Sequence, residues 1–193
     1  MSKIGVLAIQ GDFLEHRQML DLIDVESVEI RLHDQLKNVD GLIIPGGEST
    51  TIAQLIDIYQ FREPIRKSGS AGLPVWGTCA GLILLANKLT SNRPSPLGLM
   101  EIEVNRNAFG RQVDSFESLI PITGITGPAY NCIFIRAPSI EKIGDSVEVL
   151  ATLKNGTPIA VKQNHMLATS FHPELTRDPR IHELFSRIVE ENR

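Results

Sequence analysis

One cysteine of this chain stands where a nucleophile could act. Cys79 lies in the segment 77–81 (GTCAG), between an apolar segment that favours a buried strand (73–76) and one that favours a helix (82–86). This pattern predicts a sharp strand-to-helix turn, at which flanking glycines let neighbouring backbone approach closely. The free N–H groups at the start of such a helix favour thiolate over thiol. The backbone N–H of Ala80 could also donate to an oxyanion formed beside the sulfur.

A buried structural role is the alternative for Cys79, because free cysteines are among the most buried residues. Cys132 illustrates that alternative: it lies in an apolar run without glycine (131–134), so we expect it in the core. The chain has only these two cysteines. That number argues against a disulfide framework and for a reducing compartment.

A candidate base and its orienting carboxylate follow another predicted strand, at 166–171. Because a residue before proline is disfavoured in the helical region, His172 is expected to be extended. Side chains two residues apart in an extended chain point the same way, which places His172 and Glu174 on one side. The imidazole could take the proton of Cys79, while the carboxylate fixes its tautomer and stabilises the imidazolium. The alternative is a solvated corner between strand and loop.

Further residues could complete a site for a small substrate. The loop 45–50 (PGGEST) could be a tight turn with a helix cap, or its Gly46-Gly47 backbone could supply a second oxyanion donor. It lacks the lysine and the spacing of a phosphate-binding loop. Arg106 and Arg136 could each hold a substrate carboxylate, although lone arginines are most often surface residues.

The remaining histidines are weaker candidates for chemistry. Surface or core positions suffice to explain His16, His33 and His182, which lie in periodic segments, and His165 lies in a polar loop. No pair of histidines with a carboxylate has zinc-ligand spacing, and neither cysteine belongs to a C-x-x-C pair. We therefore expect no metal site.

The elements that must position these residues alternate between strand and helix in the first half. The predicted strands are 4–9, 28–32, 41–45 and 73–76, and the predicted helices are 13–23 with Asp12 as N-cap, one after 50 and one after 79. This order predicts an α/β fold of three layers, a mostly parallel central sheet flanked by helices, with the site at the carboxyl ends of the strands.

The pattern changes after about residue 95, where short strands and turn signals predict an added hairpin-rich antiparallel portion. Asn155-Gly156 is a strong hairpin signal within it. Asp178-Pro179 then predicts the start of a closing amphipathic helix.

Length and composition limit the class of protein. With 193 residues, 42% of them hydrophobic, the chain fits one globular domain, 1–193. A net charge of −4 gives no basic footprint for nucleic acid or for an anionic membrane surface. The sequence enters a strand at once, without a signal-peptide pattern, and no apolar run approaches bilayer-spanning length. We expect a cytoplasmic protein without nucleic-acid or membrane partners.

Together these motifs resemble the class I (triad) glutamine amidotransferases, which have a flavodoxin-like fold. The nearer resemblance is to the glutaminase subunits of pyridoxal 5′-phosphate synthase. The cysteine turn and His-Pro-Glu are shared by the wider class, whereas the other matching segments point to this subfamily. The matching segments are 5–12, 15–16, 42–51, 77–81, 106–112, 114–117, 134–138 and 171–175.

The resemblance implies that Cys79, helped by His172 and Glu174, attacks the side-chain amide of L-glutamine and forms a glutamyl thioester that water hydrolyses. Ammonia would pass to a separate synthase subunit that builds pyridoxal 5′-phosphate within a multi-subunit complex, and we expect no cofactor. The implied glutamine-binding residues are Gly47, Glu48, Ser49, Arg106, Ile135 and Arg136, and the implied oxyanion hole is Gly47 with Ala80.

Two other interpretations stay open. The first is a related enzyme on the same scaffold, either the glutaminase subunit of another amidotransferase, such as imidazole glycerol phosphate synthase, or a γ-glutamyl hydrolase. The second is a non-catalytic module that senses glutamine. The resemblance also implies an isolated glutaminase of low activity until its synthase docks. Rotation of the Gly46-Gly47 peptide is a possible mechanism, because glycine rotates at low cost.

Overall fold

Strands and helices alternate over the first half of the chain, as the sequence predicts. The computed structural model describes residues 2–106 and 115–193. Its strands are β1 (Lys3–Leu7), β2 (Glu26–Ile30), β3 (Gly41–Ile44), β4 (Val75–Thr78), β5 (Ala86–Leu89), β6 (Met100–Asn105), β7 (Ser115–Ile120), β8 (Tyr130–Ile135), β9 (Ser139–Ile143), β10 (Glu148–Thr152), β11 (Pro158–Gln163) and β12 (Met166–Thr169). Its α-helices are α1 (Phe13–Asp21), α2 (Ser49–Ile58), α3 (Arg62–Ser70), α4 (Ala80–Leu85) and α5 (Arg180–Glu191).

The central sheet has seven strands in the order β10-β11-β12-β4-β3-β1-β2. Strands β12, β4, β3, β1 and β2 pair in parallel, whereas β10, β11 and β12 pair antiparallel. The predicted Asn155-Gly156 turn joins β10 to β11, with Gly156 at φ 87°. The predicted mostly parallel sheet is therefore confirmed, and an antiparallel hairpin extends it at one edge.

Buried side chains fill both faces of this sheet. Along β3, Leu42 and Ile44 belong to one core cluster and Ile43 to the other, as the alternation of a strand requires. Helix α2 contributes to the first cluster and α5 to the second, so helices cover both faces. Within the described ranges, no helix is long and apolar enough to cross a membrane.

Two smaller sheets follow in the region predicted to be antiparallel. Strands β6 and β9 pair antiparallel, as do β7 and β8. Strand β5, which precedes the region predicted to be antiparallel, pairs with β6 in parallel. It also begins at Ala86, where the sequence predicts the end of a helix, so α4 is limited to Ala80–Leu85.

Glycine allows α4 to start directly against the sheet. A Cβ on Gly81 would lie 2.0 Å from the carbonyl oxygen of Ile44 at the end of β3, and one on Gly77 would lie 2.4 Å from the carbonyl carbon of Gly81. No side chain fits either space. The close approach predicted for the segment around Cys79 is therefore present, and it fixes the turn relative to two strands.

Candidate active site

Cys79 lies at the turn between β4 and α4, at the carboxyl edge of the parallel strands. Its backbone has φ 46° and ψ −97°, a conformation that side chains rarely adopt and that the surrounding structure must hold. The N–H of Cys79 donates to the carbonyl of Thr169 at 2.8 Å, which ties the turn to β12. The side chain is 7% exposed and borders a cavity, so Cys79 is accessible from one side.

Parallel pairing of β4 with β12 brings the candidate base to the same edge. Thr78 and Thr169 are register partners at the ends of the two strands, and His172 follows three residues later. Nδ1 of His172 lies 2.6 Å from Oε1 of Glu174, and both side chains are buried. The prediction that the imidazole and the carboxylate meet agrees with this geometry. Its stated reason is only partly right, since Glu174 lies in a short 3-10 helix, Pro173–Leu175, rather than in extended chain.

Charge around the imidazole favours its protonated form. Burial by itself would lower the pKa of His172, but the Cys79 sulfur and the Glu174 carboxylate outweigh burial and raise this pKa to about 10. Burial raises the pKa of Glu174, and His172 opposes that effect. Nε2 of His172 is buried and makes no hydrogen bond of regular geometry with the described residues, yet the interaction of the ring with the Cys79 sulfur is the largest effect that raises its pKa. The site is therefore suited to hold an imidazolium between the Cys79 sulfur and the Glu174 carboxylate.

A second carboxylate approaches the imidazole, which the sequence analysis missed. Asp12 was expected to cap α1, but its side chain makes no capping hydrogen bond, and Oδ2 lies 3.6 Å from Nδ1 of His172 instead. Burial raises the pKa of Asp12, and the positive charge of His172 opposes this. The available signal was that Asp12 ends the matching segment 5–12.

Two buried histidines stand behind Glu174. His16 and His182 were interpreted as surface or core residues, and both are fully buried. The core interpretation is correct but incomplete, because Nε2 of His16 lies 3.5 Å from Oε2 of Glu174. His16 follows Asp12 by four residues, the spacing of one helical turn, and its N–H donates to the Asp12 carbonyl at 3.3 Å. That spacing was the signal in the sequence.

The cavity beside Cys79 has a volume of about 660 Å³. Among the residues that line it are Asp12, Gly47, Glu48, Ser49, Cys79, Ala80, Arg106, Ile135, Arg136 and His172. The structure therefore brings all the implied glutamine-binding and oxyanion-hole residues to one cavity, with Glu174 behind His172. Motif residues 107–112 and 114 lie outside the described residues.

Opposite charges meet on the wall of this cavity. Nη2 of Arg106 lies 3.4 Å from Oε1 of Glu48, and the same oxygen accepts hydrogen bonds from the N–H and hydroxyl of Thr50. Burial opposes ionisation of Glu48, but the bonds from Thr50 and the charge of Arg106 hold its pKa below the usual value. Glu48 is also the N-cap of α2, which agrees with the helix cap predicted within loop 45–50. An ammonium and a carboxylate on one ligand could be bound here together.

Two backbone features complete the site. The N–H of Asp12 donates to the carbonyl of Gly46 at 3.1 Å, so the N–H of the trans Gly46-Gly47 peptide points away from Asp12. The carbonyl of Ile135 lies 3.9 Å from Sγ of Cys79, and the next residue, Arg136, has φ 45°. Gly47 and Ile135 both line the cavity with Cys79, so backbone groups of two segments border the space beside the sulfur.

Comparison with known proteins gives consistent similarities. The model of the SNO glutamine amidotransferase family matches residues 6–191. A protein of Dehalococcoides mccartyi named pyridoxal 5′-phosphate synthase subunit PdxT is 51% identical over 189 residues, covering 97% of each chain. One of the same name from Frankia alni is 51% identical, covering 97% of this chain and 94% of its own.

Solved structures agree with the observed architecture. A structure titled as a glutamine amidotransferase superposes with a TM-score of 0.92 at 45% identity, covering 97% of this chain and 98% of its own. A putative GMP synthase subunit of Thermoplasma acidophilum superposes with a TM-score of 0.70 at 18% identity, covering 99% of this chain and 95% of its own. The latter likeness concerns the fold alone.

Proposed function

The chain belongs to the SNO glutamine amidotransferase family, and from this premise we propose that Cys79, His172 and Glu174 form its catalytic triad. The chain is the glutaminase subunit of a pyridoxal 5′-phosphate synthase and supplies ammonia to the synthase subunit. One observation carries the assignment of the triad. Cys79 and His172 line one cavity, the Glu174 carboxylate lies 2.6 Å from His172 behind it, and the sulfur and the carboxylate raise the pKa of His172 to about 10.

The proposed reaction begins with attack of the Cys79 thiolate on the side-chain amide carbon of L-glutamine. When the C–N bond breaks, the His172 imidazolium gives its proton to the leaving nitrogen, and ammonia departs from a glutamyl thioester. The neutral imidazole then removes a proton from water, and the hydroxide attacks the thioester carbonyl. Breaking of the C–S bond releases L-glutamate and restores the thiolate and the imidazolium. Glu174 stabilises the imidazolium in both halves of the cycle.

Two backbone N–H groups, those of Gly47 and Ala80, are the proposed oxyanion hole. Ala80 begins α4 next to the nucleophile, and the Gly46-Gly47 peptide faces the same cavity. Because the Asp12 N–H holds the Gly46 carbonyl, rotation of this peptide must break one hydrogen bond. Docking of the synthase could change this peptide, which would couple partner binding to catalysis.

Glu48 and Arg106 are proposed to bind the α-ammonium and α-carboxylate of glutamine, with Gly47, Ser49, Ile135 and Arg136 as further contacts. A carboxylate and a guanidinium side by side on one cavity wall support this, because a free amino acid carries both a positive and a negative charge.

Replacing Arg106 should weaken glutamine binding. Arg106→Met keeps an unbranched apolar side chain but removes the guanidinium and its charge. We expect KM for glutamine to rise by about 10- to 100-fold, the range expected for one lost charge-assisted hydrogen bond. Steady-state ammonia release with the synthase present measures this. Arg187→Met is the matched control, because Arg187 lies on α5, outside the residues that line the cavity, and its guanidinium donates to the Gly124 carbonyl. A KM equal to that of the control would exclude Arg106 as a ligand.

The partner is tested by measuring ammonia release with and without purified synthase subunit, together with the pyridoxal product. We expect the synthase to raise glutamine turnover and product to appear only when Cys79 is intact. The synthase of imidazole glycerol phosphate, as an unmatched partner, should leave turnover unchanged. Glutamine turnover that stays the same with either synthase would contradict the proposed coupling. No detectable glutamine turnover with either synthase would favour a glutamine-sensing module.

A cytoplasmic location is also proposed. Cys79 and Cys132 are both free thiols, and free thiols are typical of a reducing compartment such as the cytoplasm.

A further inference from the structure

We propose that His16 is a positioning residue for the reaction, which holds the Glu174 carboxylate in its ionised form and in the orientation that serves His172. His182 supports it from α5. This inference rests on the proposed triad and adds two residues behind it. Neither touches the cavity, so both would act through Glu174 rather than on the substrate.

The contacts of His16 join three parts of the site. Its Nε2 lies 3.5 Å from Oε2 of Glu174 and 3.1 Å from the hydroxyl of Thr78, the residue before the nucleophile. Its Nδ1 lies 3.0 Å from Nε2 of His182. The ring of His182 in turn packs edge-on against Trp76 at 4.8 Å. One side chain thus contacts the strand that carries the nucleophile, the acid of the triad and a second histidine.

Both histidines are neutral in the folded protein. Burial lowers the pKa of His16 well below its usual value, and the neighbouring His182 and His172 lower it further. Burial lowers the pKa of His182 to about 3. Each ring therefore has one N–H and one bare nitrogen at neutral pH.

The surroundings decide which nitrogen carries each proton. If His16 carried its proton on Nδ1, a bare Nε2 would face the Glu174 carboxylate. His182 would then hold its own N–H at Nδ1, a buried atom without a hydrogen-bond partner among the described residues. If each histidine instead carries its proton on Nε2, the N–H of His182 donates to Nδ1 of His16, and the N–H of His16 points toward Thr78 and Glu174. The second arrangement leaves only a bare nitrogen unpaired, which costs less than an orphaned N–H, and it opposes the carboxylate with a donor.

Glu174 needs such a donor. Oε1 is bonded to His172, whereas Oε2 is buried and makes no hydrogen bond of regular geometry within the described residues. The turn that carries Glu174 packs against α1 and β8. The titratable groups near it are His172, Asp12 and His16, with His182 and the β8 residue Tyr130, and the Tyr130 hydroxyl bonds elsewhere. His16 is therefore the group placed to stabilise a negative Oε2.

The sign of the effect follows from this placement. Without the His16 N–H, the ionised carboxylate is less stable and the pKa of Glu174 rises. A less charged Glu174 supports the imidazolium less, so the pKa of His172 falls. The alkaline limb of kcat/KM, which reports loss of the imidazolium, should then move to lower pH.

The test compares His16→Gln with His16→Met in the complex with the synthase subunit. The two side chains have the same length, but only glutamine has an N–H at the position of Nε2. We expect His16→Met to lower kcat about tenfold, which is less than the roughly 10²- to 10⁴-fold that acid–base catalysis usually contributes. KM should change little, and the alkaline limb of kcat/KM should move to lower pH. Glutamine should stay within about threefold of wild type with its limb unmoved. Phe185→Leu, which removes packing against Trp76 without a polar atom, is the stability control.

Two results would overturn the proposal. Equal activity of both His16 variants, whether high or low, with the limb unmoved would reduce His16 to a packing residue. Nitrogen-15 NMR of the wild-type side chains provides a second measurement, independent of activity and of variant folding. It should show the Nε2–H tautomer for both histidines, and an Nδ1–H tautomer at His16 would contradict the assigned direction. Loss of the proposed function itself would be seen separately, as absent glutaminase activity in wild type.

Discussion

Cys79→Ala should abolish glutamine hydrolysis while leaving the chain folded. Among the described residues that line the cavity, Cys79 is the one thiol, so without it the thioester cannot form, and we expect kcat to fall by at least about 10⁴-fold. Alanine removes one sulfur from a side chain that is already small, so the free energy of unfolding should change by only about 1 kcal/mol. Ammonia release in the presence of the synthase and a thermal melt measure the two quantities.

Cys132→Ala is the matched control for this variant. Cys132 is buried in β8, where burial raises the pKa of its thiol to about 12, so it stays protonated and unreactive. An electrophilic glutamine analogue should therefore add to wild type and to Cys132→Ala, but not to Cys79→Ala. Hydrolysis that survived the loss of Cys79 would refute the proposed triad.

Glu174→Gln should lower turnover much more than glutamine affinity. Its carboxylate supports the charge that forms on His172, and loss of the corresponding acid in other triads suggests a fall in kcat of at least about 100-fold. Because Glu174 helps to raise the pKa of His172 to about 10, the amide should lower that pKa and move the alkaline limb of kcat/KM to lower pH. Steady-state kinetics across pH on the complex with the synthase measure both effects.

Glu174→Gln should also change how the free energy of unfolding depends on pH. The pKa of His172 in the folded chain lies above the usual 6.5, so its ionised pair stabilises the fold fully below about pH 6.5 and loses this effect as pH rises through about 10. Glu174→Gln should weaken that dependence. Glu63→Gln, at an exposed acid of α3, is the control. If KM rose while kcat was kept, Glu174 would have to be reassigned as a substrate ligand.

The sequence predicted the parts of the fold that depend on local pattern. Apolar runs identified β3 and β4, and glycine with asparagine identified the β10–β11 turn. The pattern did not predict α3, because Ile65 and Gly69 are its only buried residues and the rest of the helix is polar. It also extended α4 by one residue into β5, since an apolar run does not distinguish a buried helix from a buried strand.

The candidate site was predictable where function requires particular residue types. Cysteine after a strand and His-Pro-Glu after another suffice to suggest a triad. The roles of Asp12 and His16 were not predictable in this way, because their contacts with His172 and Glu174 cross more than 150 positions of the chain and depend on how α1 packs against the 3-10 helix that carries Glu174. A lone acid before a helix is correctly interpreted as a cap until that packing is known.

The pairing of β4 with β12 also has a consequence for biosynthesis of the chain. The indole N–H of Trp76 donates to the Thr169 hydroxyl, a contact between residues 93 positions apart. On the ribosome, strands β1 to β4 can assemble as soon as they emerge, but β4 remains an unpaired edge until β12 has been translated. Premature termination before β12 should therefore give an inactive and aggregation-prone fragment, and the nascent chain has most need of chaperones in that interval.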